Sequence, residues 1–183
     1  MATHLVIPDC QVKPGHDTSY LWVVGKYAVE KQPDTIICLG DFADMPSLSS
    51  YDAGKKSFEG RRYRDDVRAT HTAMETLLAP IVAYNEQAIR NKKRRYTPRM
   101  IMTLGNHEDR INRAINDDAK LDGTIGIDDL RYEEYGWEVY PYLETVLVDG
   151  VAYSHYFASG VKKHPIVSAR NLVIKKHMSC VQG

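Results

Sequence analysis

The chain has 183 residues, with 24 Lys and Arg against 24 Asp and Glu and a hydrophobic content of 43%. That balance excludes a polycationic nucleic-acid tail and an acidic solvating chain, and the apolar fraction suffices for one core, about one domain at ~150 residues each, taken here as 1–183. No apolar run approaches the roughly 18 residues of a membrane span, and MATHLVIPD lacks the basic and apolar regions of a signal peptide, so a cytoplasmic protein is expected. Cys10, Cys38 and Cys180 show no CxxC spacing and read as reduced thiols.

Taken in chain order, residues 4–8 form a short apolar run that reads as a buried strand ending at Asp9. Apolar residues at helical spacing from Thr18 to Gln32 predict a helix that Pro33 stops. Thr35 to Leu39 is a second buried run, ending at Gly40-Asp41, and strand, helix, strand implies a parallel unit. The mixed polar stretch that follows is too long for an ordinary connection and reads as a lid-like insertion at about 45–65. A helix is predicted from about Asp65 to Arg90, with a kink expected at Pro80. The third buried run, MIMTL, ends at Gly105-Asn106-His107-Glu108. Residues 108–138 carry ten acids against four bases and read as a solvated helical face. From Trp137 the pattern is that of strands: WEVYPYLETVLV, a turn at Asp149-Gly150, then VAYSHYF. A helix from Pro165 to Lys176 and a strand from His177 to Gln182 complete the reading.

Open α/β sheets hold ligands beyond the carboxyl ends of their strands. Here those ends carry Asp9-x-Gln11, Gly40-Asp41-x-x-Asp44 and Gly105-Asn106-His107-Glu108, with His155 after a later strand. Oxygen and imidazole donors without thiolate suit Mn, Fe, Zn or Mg better than a structural zinc site. A carboxylate such as Asp41 can bridge two ions, and ion pairs of this kind clamp the attacking and leaving oxygens of a phosphoryl displacement.

In these motifs the chain resembles the calcineurin-like metallophosphoesterases, whose pattern is D-x-H, G-D-x-x-D, G-N-H-[DE], a lone His and a final G-H-x-H. The resemblance implies an α/β fold, the four-layer αββα sandwich. It implies two divalent metal ions, with Mn2+ the leading choice and Fe, Zn, Ni or Mg as alternatives. Asp9 and Gln11 would serve the first ion, Asp41 would bridge, and Asn106 and His155 would serve the second. His107 would protonate the leaving oxygen, oriented by Asp44, while hydroxide generated at the ions attacks phosphorus in line. Gln11 replaces the usual His and is a weaker, harder donor. Gly183 stands where the first residue of G-H-x-H is expected, so the expectation is a protein that continues past it, with C-terminal strands to follow.

Two basic clusters compete as substrate surfaces. Residues 90–99 hold six bases and no acid but precede their strand, away from the catalytic end, and read as a solvated loop. Residues 55–68 hold six bases and three acids and follow GDFAD directly, which makes Arg61, Arg62 and Arg64 candidate phosphate contacts and Phe58 and Tyr63 candidate stacking rings. The leading expectation is a phosphodiesterase or nuclease acting on nucleic acid. A small-molecule phosphatase or cyclic-nucleotide phosphodiesterase, and a metal-poor binding module, stay open as alternatives. Oligomeric state is left open.

Overall fold

The computed structural model describes residues 2–52, 54–160 and 164–183; residue 53 of the expected insertion lies outside them. Four parallel strands form the first sheet in the order β1 (His4–Ile7), β2 (Thr35–Cys38), β3 (Arg99–Thr103) and β4 (Glu138–Tyr140). Their register runs Val6 to Ile37 to Ile101 to Glu138. Because this order never reverses, right-handed crossovers must put every connecting helix on the same face of the sheet. The packing agrees. Helices α1 (Tyr20–Lys31) and α2 (Tyr63–Arg90) bury Leu21, Ala28, Met74 and Leu77 against Ile7, Ile36, Cys38 and Met102.

The opposite face of the same strands, Ile37, Leu39 and Ile101, packs on Val146, Val148 and Tyr153 of a second sheet. That sheet pairs β5 (Val146–Val148) with β6 (Val151–Ser154) antiparallel, and β6 with β9 (Ser179–Gln182) parallel. Its outer face, through Ala152, is covered by Leu172 of α4 (Ala169–Lys176), with Phe157 and Ile166. Helix, sheet, sheet and helix therefore stack as an αββα sandwich. Two short strands, β7 (Ala158–Ser159) and β8 (His164–Pro165), pair beside α4, and α3 (Asp109–Asp117) follows β3.

Several expectations need correction. WEVYPYLETVLV is two strands, because Pro141, which has no N–H to donate, ends β4, and the chain crosses to the second sheet before β5 begins. The last helix starts at Ala169, where the Ser168 hydroxyl accepts from Asn171 N; Pro165 belongs to β8. The acidic stretch after α3 is a series of short 3-10 turns. α2 runs on past Pro80, whose ring sits on Gly25 of α1. A Cβ at Gly25 would stand 2.1 Å from the Leu77 carbonyl oxygen, so the two helices cross at a contact only glycine permits. Among the described residues no helix is long and apolar enough to cross a membrane.

Candidate metal centre

The ends of β1, β2 and β3 project three loops to one edge of the first sheet, and the chain leaving β6 brings His155 to the same place. Contact between the loops is close enough to dictate their glycines. A Cβ on Gly40 (φ +85°) would fall 2.5 Å from Gly105 N, and one on Gly105 would fall 2.1 Å from Asp41 Oδ1. Cys10 N and Gln11 N both donate to Asp41 O, at 3.1 and 2.8 Å, and Asp44 N donates to Val12 O at 2.8 Å. Gln11, Asp41 and Met45 sit at φ near +50°, a region non-glycine residues enter only when their surroundings hold them there.

Asp9, Asp41 and His155 offer donor atoms that all lie within 4.8 Å of one another. His155 Nδ1 is 2.8 Å from Leu39 O, and a carbonyl can only accept, so Nδ1 carries hydrogen. In the neutral ring the Nε2 lone pair is then free, and it faces Asn106 Oδ1 at 3.1 Å and Asp41 Oδ2 at 3.6 Å. Acceptors converge there from three residues, a donor set that fits a divalent cation. Asp9 supports the fit. Burial, opposed by His155 and reinforced by the Asp41 carboxylate, raises its carboxyl above the ordinary value, the crowding a cation would relieve. Gln11 reaches this edge through its backbone, while its side chain is exposed and makes no hydrogen bond to the other four among the described residues. Gly183 N donates to His155 O at 2.8 Å, which brings the end of β9 onto the centre as well.

His107 stands beside this cluster. Its backbone N–H donates to Asp41 Oδ1 at 2.8 Å, its Nε2 is 3.8 Å from Asp41 Oδ2, and its Nδ1 is 3.0 Å from Asp44 Oδ1. The last approach has ion-pair length but lies off the line of an ideal hydrogen bond.

Of the arginines expected to meet substrate, Arg61 is already engaged: its guanidinium donates to Asp52 at 2.9 Å and to Pro46 O at 3.0 Å. Arg62 donates to Arg61 O and is exposed, and Arg64 is exposed at the start of α2. Phe58 lies under Arg61, and the Tyr63 hydroxyl donates to Asp129 at 2.7 Å, so both rings are committed to packing. The residue sequence reasoning missed is Glu108, counted there among solvated acids. It is fully buried, and its carboxylate accepts from Asp41 N, Ala43 N and Gly105 N, each at 2.9 Å, and from Tyr132 Oη at 3.3 Å. Its place directly after Gly-Asn-His was the available signal.

Fold and donor set together fit the class of metal-dependent phosphoesterases. The family model described as calcineurin-like phosphoesterase matches residues 3–173, so the chain belongs to that family, whose members generally bind two divalent metal ions. No curated protein matches the sequence.

Proposed function

We propose that this chain is a two-metal phosphodiesterase, with Mn2+ as the working ion and nucleic acid as the leading substrate class. The observation that carries the reading is the convergence of Asp9, Asp41, Asn106 and His155 beside an imidazole backed by a carboxylate. Asp9 and Gln11 would hold one ion, Asn106 and His155 the other, with Asp41 between. When bound, the ions supply Lewis acidity toward the phosphoryl oxygens and the attacking water.

The protein's own groups do the rest. Asp41 spends Oδ1 on the His107 N–H, which leaves Oδ2 facing the centre. Asp44 Oδ1, 3.0 Å from His107 Nδ1, would orient the ring, and the protonated ring would hand its Nε2 proton to the leaving oxygen. The diester preference is supported by the exposed Arg62 in the wall of the cavity beside Asp44, a cation that suits a substrate charged beyond the scissile bond.

The test is Mn2+-dependent hydrolysis of a chromogenic phosphodiester and the matching monoester, with Asp41→Asn as control. Faster cleavage of the diester, abolished in Asp41→Asn and suppressed by added salt on a nucleic-acid substrate, is expected. Faster cleavage of the monoester would move the assignment to a small-molecule phosphatase, and no hydrolysis of either, with no metal bound by elemental analysis, would overturn it.

A further inference from the structure

Asp44 is held from three sides, and only one of them is His107. Lys13 Nζ is 3.0 Å from Asp44 Oδ2. Arg110 Nη1 donates to Asp44 O at 2.6 Å and lies 3.3 Å from Asp44 Oδ1 and 3.4 Å from Met45 O. The two cations come from different loops: Lys13 follows the Asp9-x-Gln11 segment, and Arg110 lies in the first turn of α3, three residues beyond His107. With His107 they occupy both carboxylate oxygens of a side chain that is 8% exposed. The backbone carbonyl bonds of Arg110 fall where the chain turns left-handed at Met45, so the same guanidinium fixes the peptide that carries Asp44.

From this the geometry points to Lys13 and Arg110 as positioning residues that act through Asp44 to hold the ring orientation and tautomer of His107. The role in catalysis rests on the proposed function; the role in orienting the ring does not. Asp44 shares a cavity wall with a second buried acid, Asp66, and a buried charge is costly unless its oxygens are paired. Tied on both, it offers His107 a single acceptor in one place. The electrostatics run the same way: burial alone would raise the Asp44 carboxyl, and the bonds from His107 and Lys13 overcome it and hold it well below the usual range.

A rival role is direct contact with substrate, because Lys13 and Arg110 also line a cavity of about 480 Å3 beside Asp44, with Pro14, Pro46 and Arg62. Two measurements on the full chain separate the roles. The first is the imidazole 1H–15N spectrum of His107, recorded without metal and above the titration of the ring. Wild type is expected to show the Nδ1–H tautomer alone; Lys13→Ala and Arg110→Ala are expected to give a mixture, and Arg110→Lys to lie between. An unchanged spectrum in the Lys13→Ala/Arg110→Ala double variant would overturn the inference, whether or not the protein hydrolyses anything. The second is steady-state kinetics with the chromogenic phosphodiester. Each alanine variant should lower kcat about tenfold, part of the roughly 10²–10⁴ a general acid contributes, with KM within about twofold. Neither should lower it further in an Asp44→Asn background. A raised KM at unchanged kcat, or a loss that persists with Asp44→Asn, would assign the cations to substrate and sink the positioning role. Should Arg110→Ala fail to fold, Lys13→Ala and Lys13→Met carry both measurements, since Lys13 stands on an exposed loop with its side chain about half accessible.

Discussion

Glu108 shows how much of the centre depends on a residue that touches no substrate. Its carboxylate gathers the N–H groups of Asp41, Ala43 and Gly105 and the Tyr132 hydroxyl, and so ties the loops after β2 and β3 to one anchor. Burial pushes its carboxyl upward, against the pull of those backbone bonds. Removing the acceptor would leave buried donors without partners, each costing about 1–3 kcal/mol. Glu108→Ala is therefore expected to lose at least about 3 kcal/mol of stability by urea unfolding, and Glu108→Gln less, because one amide oxygen can still accept. At this scale the clustering of the candidate ligands was legible, since Asp9, Asp41, Asn106 and His155 close apolar runs at intelligible spacings. Glu108 was legible as the last residue of its motif but not as an anchor, because a carboxylate's sign says nothing about the donors that await it, and its partners lie 3 to 67 positions away. Asp66 escaped for the same reason: it is buried in α2 and accepts from Ser47 N at 2.9 Å.

The segment between β2 and α2 was expected as a lid, and its bonds describe a strapped loop. Short 3-10 turns at Pro46–Leu48, Ser50–Asp52 and Lys56–Phe58 replace irregular chain. Arg61 fastens the far end of the segment to its start through Asp52 and Pro46 O, and Asp66 fastens it to α2. Hydrogen bonds from Lys55 and Arg61 bring the Asp52 carboxyl down from 3.8 to about 2. A depressed carboxyl stabilises the folded state fully above its ordinary value and loses that contribution as pH falls through the folded one, so the strap should loosen between about pH 4 and 2. Hydrogen exchange of amides 47–52 and 54–61, corrected for intrinsic rate, is expected to quicken across that window in wild type. In Arg61→Ala it should already be fast at pH 5 and respond less to acid. Periodicity located β1, β2, β3 and both long helices to within a few residues. It could not divide β4 from β5, because alternation along a strand records that one face is buried and not which sheet buries it.

At the scale of the molecule, the four candidate ligands with side chains at the centre come from both sheets: Asp9, Asp41 and Asn106 from the first, His155 from the second. A bound ion would pin one sheet to the other. Mn2+ at about a hundred times its Kd should add about 2.7 kcal/mol of stability, or roughly 5–10 °C in Tm for a chain of this size. His155→Ala should remove most of that rise in a melting experiment with and without the ion, and an equal rise in the variant would place the ion elsewhere. The same division sets an order of assembly. The first sheet is complete once Tyr140 has been synthesised, while His155 comes 15 positions later. The fourth candidate ligand is thus supplied only with the second sheet, and docking of that sheet is the event that closes the centre.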